Sequence, residues 1–250
     1  MKSQFPWRIC AELSERFARF DMIRILSLPH RLDRRNAVQR ELCRLGLTID
    51  DGRVAFLDAI RPMTADGFDS IGARGCFLSH LAALRSAKDA DVSYLLVLED
   101  DVAFSRAERK AMETALYALS IESWDVFYGG SLVNQQATPL TVLSSDAPVQ
   151  LAHFIAFSRN AIHILIPHLE AMLTRPTGSA EGGPMHVDGA YSHFRRDNPG
   201  IVAVAATPPI AHQRASRTDI HTLGFLDRNK GLRLIAAVFR SLKNMVASWK

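Results

Sequence analysis

Residues 94–104 read Tyr-Leu-Leu-Val-Leu-Glu-Asp-Asp-Val-Ala-Phe, an apolar run that passes without a break into three consecutive carboxylates, Glu99, Asp100 and Asp101. An apolar run this short that does not alternate needs cover on both faces, and the middle of a mostly parallel sheet in an α/β fold supplies it. Ligands gather at the carboxyl ends of such strands. Three adjacent carboxylates repel one another, so they require a cation, a ring of Arg and Lys, or full solvation. A hard divalent ion such as Mg2+ or Mn2+, shared between one or two carboxylates and the phosphates of a substrate, meets that requirement, and the strand end reads as a metal–diphosphate site. A solvated acidic turn is the alternative that these residues leave open.

The rest of the chain alternates in the same manner. Residues 22–28 form a strand candidate closed by Pro29, 31–45 a helix ended by Gly46, 54–57 a short strand, and 75–90 a helix that delivers the chain to Tyr94. Beyond the carboxylates, 106–119 is helical in pattern, 124–128 is a strand that stops at Gly129-Gly130, and 131–149 is polar and irregular. Residues 151–157 then form a strand, and 160–173 a helix that Pro167 should kink or restart. A Gly-containing turn at 178–184, a short helix at 187–194 and a last strand at 201–206 precede Pro208-Pro209. Alternation of this kind is the mark of an α/β fold.

With 250 residues, 48% hydrophobic and 22% charged, the chain has ordinary globular composition and can bury a full core. Cys10, Cys43 and Cys76 are odd in number and lack paired spacing, which argues against a disulfide framework or a zinc site and for a reducing compartment. Arg8, Glu12, Glu15, Arg16 and Arg19 interrupt the first twenty residues, so no signal peptide is expected, and no run is long enough to cross a bilayer. The cytoplasm is the expected location. The net charge of +4 is unevenly placed, because residues 228–250 hold six basic residues and no acidic one. Leu232, Ile235, Phe239, Leu242, Val246 and Trp249 recur there at helical spacing, predicting a basic amphipathic helix over 226–250. Such a helix either lies on the anionic inner face of a membrane or docks on the protein's own core. No nucleic-acid motif accompanies the charge, and nucleic acid is not an expected partner.

Three segments together resemble glycosyltransferase family 25, the lipopolysaccharide and lipooligosaccharide glycosyltransferases that include β-1,4-galactosyltransferases. They are Leu28-Pro29-His30-Arg31-Leu32-Asp33-Arg34-Arg35, Gly72-Ala73-Arg74-Gly75-Cys76-Phe77-Leu78-Ser79-His80, and Leu96-Val97-Leu98-Glu99-Asp100-Asp101-Val102. Order and spacing agree as well as identity, tightly over residues 22–104 and more loosely over 124–220. Ser27 stands where the family usually has Asn, and Ala73 where it usually has Glu. The resemblance implies a GT-A-like, Rossmann-type mixed sheet flanked by helices, a UDP-sugar donor with Mn2+ or Mg2+, and inversion at the anomeric carbon. The expected division is an N-terminal helical extension (1–21), a transferase domain (22–225) with a donor half (22–130) and an acceptor half (131–225), and the basic tail (226–250), with the two terminal segments outside the resemblance. Expected partners are the nucleotide sugar and a lipid-linked surface glycan, with galactose from UDP-galactose the expected transfer.

Such chemistry requires stabilisation of the departing diphosphate and a base for the acceptor hydroxyl. Asp101 is the expected chief metal ligand, joined by Glu99, with Asp100 completing the shell or holding ribose; on a strand, Glu99 and Asp101 should share a side that Asp100 does not. Arg31, Arg34 and Arg35 follow the first strand, where a guanidinium can grip phosphate or stack on a base, although a basic first helical turn is also a common solvated face. Gly75, Ser79 and His80 are placed at a helix start, whose free N–H groups favour an anion; His80 is a candidate to bond the donor's phosphate or ribose, although a lone helix histidine is more often structural. Asp188 is the expected base by resemblance, and a helix N-terminal carboxylate by its own context. The stretch from Pro208 through His212 to Arg214 and on to Asp219 follows the last strand and can return to the site, where His212 is a further metal-ligand candidate or a surface-loop residue. The same carboxylates also suit a metal-dependent phosphohydrolase or nucleotidyltransferase, and the Ala73 departure suits a catalytically inactive glycan- or membrane-binding assembly protein.

Overall fold

A computed structural model describes residues 13–49, 52–131 and 138–214. The basic tail, with Ser216 and Asp219, and most of the N-terminal extension lie outside the described residues; 13–17 are helical.

The chain forms a seven-stranded mixed sheet in the order β2-β1-β3-β7-β5-β8-β6. Its first part is built from β1 (Met22–Ser27), α1 (Leu32–Cys43), β2 (Val54–Asp58), α2 (Ile71–Asp89) and β3 (Tyr94–Glu99). These three strands run parallel. After β4 (Val102–Ala103) and α3 (Arg106–Ile121) come β5 (Val126–Tyr128), β6 (Leu140–Val142), β7 (Phe154–Ser158), α4 (Arg159–Thr174), α5 (Val187–Asp197), β8 (Ala203–Ala206) and β9 (His212–Gln213). β7 lies antiparallel between β3 and β5, β8 is parallel to β5, and β6 closes the edge antiparallel to β8. The expected α/β mixed sheet flanked by helices is therefore what the chain adopts.

The unbroken apolar run of β3 is explained by two separate cores. Leu95 and Val97 face one, filled by α2, α4 and α5, while Leu96 and Leu98 face the other, filled by the helical segment at 13–17, α1 and α3. All four side chains are fully buried, each burial worth about 1.5–3 kcal/mol.

Several boundaries differ from the expectation for local reasons. The second helix starts at Ile71, because Ser70 caps it by accepting from the Ala73 N–H. Pro167 neither restarts nor ends α4, which runs from Arg159 to Thr174; Pro167 and His163, four residues before it, both sit on the exposed face, where the carbonyl that loses its helix bond is not sealed in the core. Within the stretch expected to be irregular, residues 140–142 form the edge strand β6, supported by the hydroxyl pair Thr141–Thr207 at 2.8 Å.

Candidate active site

β1 sits between β2 and β3, with α1 and α2 on opposite faces of the sheet, so the chain diverges at the carboxyl ends of β1 and β3. Such a divergence point opens a crevice in an α/β sheet. Here Leu26 lies in register with Glu99, and a cleft of about 620 Å3 opens above them. Its floor is the end of β1 and the carboxylates; its walls are the first turns of α1 and α2 and residues 59–63. That volume suits a small-molecule ligand.

The strand ends at Glu99 and the chain turns through Asp100 and Asp101, so strand alternation no longer applies and all three carboxylates line the cleft. This corrects the expectation that Asp100 points elsewhere. Each carboxylate has a different setting. Asp100 accepts from the Ser27 hydroxyl at 2.7 Å and from Arg34 Nη1 at 2.8 Å, so the serine in the family's Asn place holds this acid. Glu99 lies 3.4 Å from His80 Nε2, accepts from Cys76 Sγ at 3.8 Å, and is reached by Gln213 Nε2 at 3.4 Å. Burial alone would raise the Glu99 pKa, but the His80 hydrogen bond, with the charges of His80 and His153, holds it below the usual range. Asp101 has a buried Oδ1 with no hydrogen-bond partner among the described residues, and its Oδ2 is 4.0 Å from Arg34. Burial first, then the charges of Glu99 and Asp100, push its carboxyl up to about 7 against the pull of Arg34 and Arg214.

A buried carboxylate oxygen without a partner, beside two further carboxylates and open to a cleft, fits a hard divalent cation. Asp101 and Glu99 are the residues that would hold it. Cys76 contributes no anion, because burial and then the neighbouring charges of Glu99 and Asp188 raise its thiol well above the usual range.

Arg31 and Arg34 line the cleft, whereas Arg35 does not: it pairs with Asp58, donates to the Ser27 carbonyl and stacks 4.7 Å over Phe56. Arg31 is braced by a bidentate pair with Asp33 at 2.9 and 3.0 Å. Gly75 and Ser79 lie past the free N–H groups of α2, contrary to the helix-start expectation, and they shape the wall instead. A Cβ at Gly75 would meet the Ile60 carbonyl oxygen at 2.5 Å, and the Ser79 hydroxyl accepts from the Ile60 N–H at 2.8 Å while donating to the Gly75 carbonyl. His80 is fully buried; its Nδ1 lies 3.0 Å from the Tyr191 hydroxyl, so the ring is clamped between a tyrosine and Glu99.

Asp188 opens α5, one turn before Tyr191, and its Oδ1 accepts from the Gly189 N–H at 2.8 Å. It is half-buried, near enough to Cys76 and Tyr128 for its charge to raise both of their pKa values, and not among the residues that line the cleft. The segment after β8 does return, since β9 pairs antiparallel with β4. It brings Gln213 to the cluster, while the neighbouring His212 faces away and binds Glu108 through Nδ1 at 2.8 Å. The metal-ligand expectation for His212 is corrected accordingly: within β9 adjacent side chains point to opposite faces. Arg214, which had no assigned role, donates to the Asp100 carbonyl at 2.7 Å and its N–H to the Asp101 carbonyl at 2.7 Å.

The model of glycosyltransferase family 25 (LPS biosynthesis protein) matches residues 69–139, which hold the second and third of the segments that carry the sequence resemblance. Procollagen galactosyltransferases 1-A and 1-B of Xenopus laevis are each 28% identical over 129 residues, covering 44% of this chain and 21% of theirs. The chain thus spans about a fifth of the length of these curated relatives. Among solved structures, a glycosyltransferase involved in the glycosylation of the major capsid of PBCV-1 aligns with a TM-score of 0.49 at 13% identity, over 78% of this chain and 96% of that one. UDP-glucose pyrophosphorylase complexed with UDP-glucose aligns at 0.45 and 7% identity, over 93% and 87%. Over residues 69–139 the chain is therefore similar to glycosyltransferase family 25, the family that its sequence resembles.

Proposed function

We propose that this chain is a glycosyltransferase that takes a nucleoside-diphosphate sugar and moves the sugar to a glycan acceptor. The observation that carries the reading is the carboxylate oxygen of Asp101 that has no hydrogen-bond partner among the described residues, set at the end of β3 in a cleft that Arg31 and Arg34 share. Negative charge grows on the diphosphate as the glycosidic bond breaks, and a fixed cationic wall stabilises it. Arg34 lies within the cleft already oriented by Asp100, so it meets that charge without reorganising. Mn2+ or Mg2+ held by Asp101 and Glu99 would add Lewis-acid stabilisation of the same leaving group.

Asp188 takes the acceptor hydroxyl's proton, on the side of the site where Tyr191 and His80 brace Glu99. Residues 22–130 then handle the donor and 131–225 the acceptor. The finer reading is UDP-galactose as donor, inversion at the anomeric carbon, and a lipid-linked surface glycan as acceptor, supported by the family match to LPS biosynthesis proteins and by the galactosyltransferase names of the Xenopus laevis relatives.

Calorimetric titration of the purified chain with UDP, UDP-galactose, UDP-glucose and GDP-mannose, each with and without Mn2+, tests this. Metal-dependent binding of uridine nucleotides, lost in Asp101→Ala, is the expected result. Folded protein that binds no nucleotide would sink the reading, and turnover that releases phosphate regardless of the sugar would replace it with a phosphohydrolase.

A further inference from the structure

A second cluster of ligand-type side chains lies outside the cleft, on α4 and α5. His168, His193 and Asp197 present three donor atoms within 4.8 Å of one another. His193 and Asp197 are one turn apart on α5, and His168 faces them from α4 with its ring centroid 5.5 Å from that of His193.

The hydrogen bonds make the arrangement informative. His193 Nε2 lies 3.4 Å from the Ala180 carbonyl, which only accepts, so Nε2 carries a proton and the lone pair of the neutral ring is on Nδ1. That Nδ1 lies 3.0 Å from Asp197 Oδ2. Two lone-pair atoms at this separation need a proton or a cation between them. A proton would satisfy His193 and Asp197 but leave His168, whose Nε2 is buried and has no partner among the described residues. An unsatisfied buried nitrogen is costly, and a divalent ion satisfies all three groups together. The site is also held in place: a Cβ at Gly182 would come 2.9 Å from His193 Nε2, and Gly182 has φ +82°, so the 175–184 loop closes directly onto the ring.

We propose that His168, His193 and Asp197 form a second metal site, of the two-imidazole, one-carboxylate type that zinc takes, and that the ion staples α4 to α5. Nitrogen-rich donors select zinc over the oxygen-seeking Mg2+ and Mn2+. Asp197 is half-exposed and gives the ion its entry path, with water for the fourth position. Metal binding here stands apart from the transferase reading. Its consequence rests on that reading, because α5 also carries Asp188 and Tyr191, and stapling the helix fixes their approach to Glu99.

The test is zinc titration of the full, chelator-stripped chain by calorimetry, with Co2+ absorption as a spectroscopic readout, in wild type, His168→Ala, Asp197→Asn, Cys76→Ser and Asp101→Asn. The zinc equivalent assigned to His168, His193 and Asp197 should bind alike in wild type, Cys76→Ser and Asp101→Asn, apart from any ion held at the carboxylates of the cleft. Binding should weaken in His168→Ala and Asp197→Asn by at least about tenfold, the loss that even an outer-shell partner causes. Circular dichroism checks folding, and Asp197→Asn decides the matter if His168→Ala does not fold, because the Asp197 side chain is not part of the core. No zinc binding by wild type, unchanged binding in both cluster variants, or loss in Cys76→Ser instead would overturn the proposal. Nucleotide binding measured without zinc reports separately on the transferase reading.

Discussion

At Asp101, burial and the charges of Glu99 and Asp100 outweigh Arg34 and Arg214, and the carboxyl keeps its proton up to about 7. Folding raises this pKa, so the associated stabilisation is fully present below the unfolded carboxylate range and is lost as pH rises through about 7. A cation needs the carboxylate form, so Mn2+ affinity should climb across the same range. Asp101→Asn should abolish both trends, measured by thermal melts and metal titration at a series of pH values; a wild-type affinity that does not change with pH would refute this assignment. Ser27→Ala removes the 2.7 Å donor to a buried carboxylate and should cost about 1–3 kcal/mol in urea denaturation. At this scale the sequence made Glu99 and Asp101 legible, because a buried strand that ends in charge restricts what can lie there. It did not make Ser27 or Gln213 legible, since a polar residue's partner is chosen by the fold and not by its neighbours in the chain.

Helix α2 and the loop it supports build one wall of the cleft through Gly75 and Ser79. Gly75→Ala drives a methyl group into the Ile60 carbonyl, which should destabilise by about 1–3 kcal/mol and displace residues 59–63. Nucleotide binding should weaken in that variant more than in Gly200→Ala, where nothing lies within 4 Å; equal affinities would show that the wall does not touch the ligand. The existence of α2 was plain from its apolar pattern, but its start was not, because Ser70 and Ala73 give a capping signal that competes with the glycines at 72 and 75. The edge strand β6 escaped notice for a related reason. Three residues following a proline carry too little period to mark a strand, and β8 supplies the pairing.

Closure of the whole molecule depends on the return of residues 211–214, more than a hundred positions after the carboxylates, to pair β9 with β4 and to set Arg214 on the Asp100 and Asp101 carbonyls. Arg214 also pulls the Asp101 pKa down, so Arg214→Ala should move the pH midpoint of Mn2+ binding upward and weaken nucleotide binding; an unmoved midpoint would refute this. Separately, the sequence of residues 228–250 predicts that their deletion weakens attachment to anionic vesicles while activity on a soluble acceptor survives, and unchanged vesicle binding would remove the membrane role. By itself the sequence determined the alternation of strand and helix, the buried central strand and the carboxylates at its end, because hydrophobic period and charge are local properties of the chain. Only the tertiary structure decided that Asp100 joins the cleft, that Gln213 and not His212 reaches Glu99, and that His168 meets His193 and Asp197. Each of those depends on turn geometry, strand register or helix packing, which arise from contacts between segments that are distant in sequence.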